Sequence, residues 1–277
     1  MKNQYQLIAF DMDGTLLTTD KKIAPETTRA MQEAVQAGKQ IVLSTGRTDA
    51  ELAAYRSALA DVRYGILESG GLLYDFHERR ILSCKPIAPE YVQKILELSE
   101  QEDVMIQVMA GGKVYIQTKD LDNMAHYQLA YFYPLFSTTA LLIDDIRAWL
   151  REGTLNGTLT VDKINLYHTD TEARKRTLDR GKDLPLELVY SEITSIEFSP
   201  KGVSKGTALI ELAGLLGVPV EQTIAVGDAD NDLAMLRCCG LAVAMGNANE
   251  NVKRTAAVVV ADNDHDGCAE AIRRYLL

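Results

Sequence analysis

Short apolar runs closed by small or polar residues recur at both ends of the chain. "QLIAF" (Gln6–Phe10) is uninterrupted by charge, as expected of a strand buried on both faces. "APETTRAMQEAVQAG" follows, with Pro25 near a helix start and Gly38 as a stop. Ala30, Met31, Ala34 and Val35 fall at helical spacing there. "QIVLSTGR" supplies a second buried strand at Ile41–Leu43, so the segment reads as a βαβ unit with parallel strands. The last part alternates in the same way. "GTALIELAGLLG", "DLAMLRCC", "NENVKRTA" and "CAEAIRRYLL" read as helices, and "TIAVGD", "LAVAMG" and "AAVVVA" as strands.

The middle has a different rhythm. "VMIQVMAGGKVYIQT" (Val104–Thr118) predicts two strands around Gly111-Gly112, a hairpin signal. "KINLYHT" and "LELVYSEITSIEF" add strand-like runs, and helical stretches fall near Glu90–Glu102, Asp144–Arg151 and Thr171–Arg180. Hairpins mixed with helices predict an α+β unit with an antiparallel sheet. The expected organisation is a discontinuous α/β domain with a Rossmann-like parallel sheet, residues 1–84 and 193–277. An α+β domain, residues 85–192, is inserted into it. No internal repeat or low-complexity segment interrupts this pattern.

Composition narrows the function. The 277 residues carry a formal net charge of -10, with a pI of about 5.0. An acidic surface argues against broad nucleic-acid binding. No apolar stretch reaches the ~18 residues of a membrane span, and the N-terminus lacks a secretory pattern. Cys84, Cys238, Cys239 and Cys268 lack zinc spacing and are expected as free, at least half-buried thiols of a cytoplasmic protein.

The candidate chemistry lies at expected strand ends, where parallel α/β sheets bind ligands. Asp11, Asp13 and Thr15 follow the first strand, and Ser44, Thr45, Gly46 and Arg47 the second. Asp228, Asp230, Asn231 and Asp232 follow "TIAVG", and Lys201 and Lys205 lie in "SPKGVSKG". Clustered carboxylates repel unless a cation holds them, and hard oxygens suit Mg²⁺. Hydroxyls, lysine and a carboxamide bind phosphate oxygens. Together they spell phosphoryl chemistry. A calcium-binding loop does not fit, because position six after Asp228 is Leu233, and "GVSKG" lacks P-loop glycine spacing.

The order of these pieces resembles the haloacid dehalogenase-like phosphatases, in particular the Cof-type branch with a large inserted cap. "DMDGTL", "LSTGR", Lys205 in "GVSKG" and "GDADND" match the family's four motifs in order. The resemblance implies a Mg²⁺-dependent phosphatase acting on a small phosphorylated metabolite, such as a sugar phosphate. Asp11 would be the nucleophile, forming an aspartyl-phosphate. Asp13 would be the general acid and base, in surroundings that favour its acid form. Mg²⁺ would be held by the Asp11 carboxylate, the Asp13 backbone carbonyl and Asp228, with Asp232 assisting directly or through water. Ser44, the Thr45 amide, Lys205 and Asn231 would hold the phosphoryl oxygens. The cap would close over the sheet ends and select the substrate. The alternatives are a phosphotransferase or phosphomutase with the same intermediate, and a catalytically silent phosphometabolite-binding protein. A monomer or a homodimer fits equally.

One departure stands out. "ESGG" puts Ser69 where the family has an asparagine. The four histidines, His77, His126, His168 and His265, are scattered and read as structural or solvated. The aromatic run "HYQLAYFYPLF" (His126–Phe136) reads mainly as core packing or a self-association surface. "DNDHDG" reads as a loop and helix N-cap, part of which could lie near the site.

Overall fold

The computed structural model describes residues 4–190 and 192–277. The chain runs β1 (Leu7–Phe10), α1 (Pro25–Gln36), β2 (Gln40–Ser44), β3 (Tyr64–Leu67), β4 (Leu72–Asp75) and β5 (Arg80–Cys84). It continues through α2 (Pro89–Ser99), β6 (Val104–Ala110), β7 (Lys113–Gln117), the one-turn α3 (Thr118–Leu121), α4 (Tyr133–Thr139) and β8 (Ala140–Ile143). Then come α5 (Ile146–Leu155), β9 (Lys163–His168), α6 (Thr171–Gly181), β10 (Leu186–Val189) and β11 (Ser195–Pro200). The last stretch holds α7 (Lys205–Leu215), β12 (Thr223–Gly227), α8 (Leu233–Cys238), β13 (Leu241–Ala244), α9 (Glu250–Thr255), β14 (Val258–Val259) and α10 (Gly267–Ala271). Among the described residues, no helix is long and apolar enough to cross a membrane.

The chain divides into two compact units. The first comprises the residues up to Arg47, Leu52–Ser83 and Ser204–Leu277; the second comprises Thr48–Glu51 and Cys84–Val203. The first unit is built on an eight-stranded sheet ordered β14-β13-β12-β1-β2-β3-β4-β5. The strands from β14 to β3 run parallel, and β4 turns back antiparallel on β3. Every residue of β1, β3 and β12 is buried, which is why these runs carry no alternating polar positions. Helix α1 begins at Pro25 and buries Thr27, Ala30, Met31 and Ala34. Val35, expected on the same stripe, is 38% exposed at the edge of that face. Gly38 (φ 78) supplies the left-handed turn into β2.

The second unit is a six-stranded sheet ordered β10-β11-β9-β6-β7-β8. The glycine hairpin forms as expected, with Gly111 and Gly112 at φ 59 and 77. One face carries Ile106, Val108, Ile164, Leu166, Ile196 and Phe198 against apolar residues of α2 and α5. The other face packs Met105, Met109 and Tyr167 with Tyr127, Leu129 and Phe136. The aromatic run is therefore partly core, while Tyr131 and Tyr133 stay exposed. The boundary expected at 192/193 falls elsewhere. Strand β11 pairs antiparallel with β9 and β10, so the inserted unit extends to Val203. An apolar run alone does not say which sheet a boundary strand joins.

Candidate active site

Strand β1 lies between β12 and β2, so the turns after these three strands share one end of the sheet. Asp11 leaves β1 and is buried, 5% exposed. Lys205, the first residue of α7, is also buried, and its Nζ donates to Asp11 Oδ1 at 2.5 Å and to Asp232 Oδ1 at 2.7 Å. Ser204 caps α7 in a capping box with Thr207, fixing the turn from which Lys205 projects. Lys201 is exposed and lies in the inserted unit, so Lys205 is the lysine of the site.

Asp232 Oδ2 accepts the amides of Asp228 and Ala229 at 3.0 and 3.2 Å. Asp228 accepts a bond from Thr15 Oγ1 at 3.0 Å. Close approach requires glycine at two points. A Cβ on Gly14 would lie 2.4 Å from Asp228 Oδ2, and one on Gly227 would lie 2.5 Å from the Asp232 Cβ. One oxygen each from Asp11, Asp228 and Asp232 lie within 4.8 Å of one another.

The charges in this cluster do not balance. Burial first, then the charge of Asp232, raises the Asp11 carboxyl above the ordinary range, with Lys205 opposing. Burial and Asp232 likewise push Asp228 up to about 6, against the pull of the Thr15 bond and Lys205. Burial works to lower the Lys205 pKa, but the charges of Asp11 and Asp232 outweigh it and raise it. One ammonium thus faces three carboxylates. A hard divalent cation fits this oxygen set and supplies the missing positive charge.

The expected phosphate-binding groups are only partly brought together. Ser44 at the end of β2 is fully buried, and its Oγ has no hydrogen-bond partner among the described residues. The Thr45 amide, expected as a donor, is instead committed to the Ile66 carbonyl at 2.8 Å, continuing the β2–β3 ladder. The next amide, that of Gly46, bonds to nothing among the described residues. Asn231 lies in a short 3-10 turn and is exposed, with no side-chain bond to the cluster.

Asp13 differs most from expectation. It is exposed, and Arg47 grips its carboxylate with Nε and Nη2, both at 2.9 Å. Lys21 Nζ adds a third contact at 3.0 Å. Burial raises the Asp13 pKa, but the bonds and charges of Arg47 and Lys21 outweigh it and lower it. These surroundings favour the carboxylate, not the acid; spacing along the sequence does not show where the Arg47 and Lys21 side chains point. The "ESGG" departure has a local role: Glu68, Ser69 and Gly70 all take positive φ. The Ser69 amide bonds to the Thr45 carbonyl at 3.0 Å and the Glu68 amide to the Arg47 carbonyl at 3.1 Å. This turn therefore holds the loop after β2. Asparagine tolerates such left-handed backbone better than serine does.

A parallel α/β sheet with carboxylates, a lysine and a hydroxyl gathered at its strand ends defines a phosphoryl-transfer hydrolase. Residues 8–272 match the family of haloacid dehalogenase-like hydrolases, and the chain belongs to that family. It is 30% identical to the pyridoxal phosphate phosphatase YbhA of Escherichia coli, covering 98% of this chain and 99% of that protein. It is 29% identical to the 5-amino-6-(5-phospho-D-ribitylamino)uracil phosphatase YcsE of Bacillus subtilis, covering 98% and 96%. A solved haloacid dehalogenase-like hydrolase from B. subtilis superposes with a TM-score of 0.83 at 28% identity, covering 97% and 99%. The resemblance read from the four motifs is thereby borne out, and the chain is a phosphoric monoester hydrolase.

Proposed function

We propose that the protein is a Mg²⁺-dependent phosphatase of small phosphorylated metabolites, working through an aspartyl-phosphate on Asp11. The observation that carries this reading is the buried Asp11–Lys205–Asp232 arrangement beside Asp228, with the unpartnered Ser44 hydroxyl at the end of the neighbouring strand. Asp11 attacks phosphorus in line, which splits one displacement into two. Lys205 holds Asp11 in place and offers its charge to the phosphoryl oxygens. Ser44 Oγ donates to a phosphoryl oxygen, and the Gly46 amide takes the part first expected of the Thr45 amide. Asp11, Asp228 and the Asp13 carbonyl, with Asp232 in support, would hold Mg²⁺, which would supply charge neutralisation at the nucleophile and phosphate. Asp13 transfers the proton to the leaving oxygen, and it does so only after Arg47 and Lys21 let go of its carboxylate.

Substrate discrimination is placed in the inserted unit. Its sheet carries a buried polar row in direct register: Gln107, Asn165 and Glu197. Asn165 Nδ2 donates to Gln107 Oε1 at 2.7 Å, and Tyr167 OH donates to the same oxygen at 2.9 Å. Asn165 Oδ1 has no hydrogen-bond partner among the described residues. Lys163 and Glu197 form a buried ion pair in the same sheet. Unused amide capacity in such a row suits the hydroxyls of a sugar or polyol phosphate. The four free cysteines support a reducing, cytoplasmic setting.

The test is phosphate release from an aryl phosphomonoester and a panel of phosphorylated metabolites, with and without Mg²⁺. Turnover should require Mg²⁺ and vanish in Asp11→Asn. Turnover that survives Asp11→Asn overturns the mechanism. Transfer of phosphate to an added sugar in place of water would turn the assignment to a phosphotransferase.

A further inference from the structure

The segment just after the nucleophile, Met12–Ile23, holds much of the proposed machinery: Asp13, Gly14, Thr15 and Lys21. Its own backbone bonds are sparse. Leu17 N reaches the Met12 carbonyl at 2.9 Å, and Thr18 and Lys22 close a small turn at 2.8 Å. Besides Arg47 on Asp13 and Asp228 on Thr15, it is held by residues more than 230 positions away in sequence. Asn247 Nδ2 donates to the Gly14 carbonyl at 2.8 Å. Asn263 Nδ2 donates to the Leu17 carbonyl at 2.9 Å. Asp264 accepts both the Thr19 amide at 2.8 Å and the Thr19 hydroxyl at 2.6 Å. Cys268 Sγ adds a contact to the Thr15 carbonyl at 3.3 Å.

The supporting side chains are themselves held. Asn263 N donates to Asn247 Oδ1 at 3.2 Å, so the two asparagines act as one piece. Asp262 accepts the Asp264 amide at 3.0 Å, and its carbonyl accepts the Gly267 amide at 3.1 Å. A Cβ on Gly267 would lie 2.0 Å from the Ala261 carbonyl oxygen, so only glycine closes this turn. "DNDHDG" is therefore a built turn that presents Asn263 and Asp264 to the loop.

We propose that Asn247, Asn263 and Asp264 form a strap that positions the Asp13–Thr19 loop for phosphoryl transfer. Its effect falls on one peptide in particular. Gly14 sits at φ 85, and anchoring its carbonyl through Asn247 fixes the orientation of the Gly14–Thr15 peptide. The peptide before it, joined through the Gly14 Cα, carries the Asp13 carbonyl proposed to hold the metal. Anchoring Thr19 fixes the turn that aims Lys21 at Asp13. Asn247, Asn263 and Asp264 touch no reacting atom; they are positioning residues. The inference rests on the reading of Asp13 given above.

The test uses the full chain carrying Asn247→Ala, Asn263→Ala or Thr19→Val, with Thr19→Ser as the conservative variant. Asn156→Ala, which removes two turn bonds in the inserted unit, is the control for general destabilisation. Three readouts are taken: Mg²⁺ affinity by calorimetry, amide exchange of residues 13–19, and kcat and KM on an aryl phosphate. Losing a partner behind a metal ligand costs about 10–100-fold in affinity or activity. Asn247→Ala and Asn263→Ala should therefore weaken Mg²⁺ binding about tenfold and speed exchange across 13–19. They should lower kcat about 10–100-fold and leave KM within about threefold. Thr19→Ser should match the wild type, and Asn156→Ala should move none of the three. Wild-type Mg²⁺ affinity and exchange in Asn247→Ala overturn the strap, even if kcat falls. The catalytic reading fails separately, if Asp11→Asn stays active; the strap is then judged on Mg²⁺ affinity and exchange, which do not depend on turnover.

Discussion

Gly14→Ala is the sharpest test of the site's geometry. Two costs can be worked out from the structure. The first is conformational: Gly14 has φ 85, where an L-residue pays roughly 1–2 kcal/mol. The second is steric. The new Cβ would sit 2.4 Å from Asp228 Oδ2, 2.9 Å from its Cγ and 3.1 Å from Oδ1. Non-bonded contacts settle near about 3.5 Å, so the carboxylate or the loop must move by about 1 Å. Either movement strains the 3.0 Å Thr15–Asp228 bond, worth about 1 kcal/mol. A displacement of about 1 Å at a reacting centre costs on the order of 10²-fold in rate. Gly38→Ala separates the two costs, because Gly38 has φ 78 and open space around its missing Cβ. Gly38→Ala should lose about 1–2 kcal/mol in urea unfolding, the left-handed penalty alone, and Gly14→Ala about 1 kcal/mol more from the strained Thr15–Asp228 bond. Only Gly14→Ala should lose about 10²-fold in kcat and need more Mg²⁺ for half-maximal turnover. If Gly14→Ala keeps more than a third of wild-type turnover, the close packing of Gly14 on Asp228 does not set the site.

Three further outcomes follow from the charges. Lys205→Met leaves Asp11 and Asp232 facing each other without an ammonium, so urea unfolding at pH 8 should show a loss of about 3–5 kcal/mol, and wild-type stability would refute the ion pairing. Mg²⁺ should raise the melting temperature at pH 7.5, and the gain should fade as pH falls through about 6, because Asp228 takes up a proton there; an equal gain at pH 5 would place the metal elsewhere. His168 is fully buried between the Thr194 carbonyl and Thr177 Oγ1, and burial lowers its pKa. Its neutral form therefore adds stability above the unfolded value of about 6.5 that is lost as pH falls below it, by at most about 1.4 kcal/mol per pH unit. His168→Asn should flatten that part of the profile in urea titrations at pH 7 to 5.

Much of this was legible in the sequence because the core strands are short, fully buried and closed by chemistry. "QLIAF" ends at Asp11, "QIVLS" at Ser44 and "TIAVG" at Asp228, so apolar pattern and site residues marked each other. What stayed hidden depends on direction and on long-range contact. The commitment of the Thr45 amide follows from β2–β3 pairing, which a run of apolar residues does not specify. The exposure of Asn231 follows from a 3-10 turn too short to announce itself. Asn247 and Asn263 read as ordinary loop residues, since nothing local links them to a segment near the N-terminus. Strand β11 reads the same whichever sheet it joins, so only its partners place it.

Asp13 shows the limit most clearly. Sequence spacing puts a second carboxylate two residues after the proposed nucleophile, and the proposed chemistry then asks that it carry a proton. A fixed cation bonded to the oxygens opposes that proton. Arg47 competes with a two-bond fork, and a guanidinium does not give up its charge in a protein. Arg47 is in turn held from behind, through its carbonyl to Glu68 N and its amide to Thr45 Oγ1. The surroundings of the proposed nucleophile are thus assembled, with Lys205 on Asp11, while the proposed acid is tied up. On these proposed roles, proton donation and nucleophilic attack do not share one arrangement of these side chains. Moving from one to the other needs only the Arg47 and Lys21 side chains to swing away, because the backbone that carries Asp13 is pinned at Gly14, Leu17 and Thr19. The pinned loop and the movable cations divide the work: one sets where the carboxylate is, the other whether it is charged.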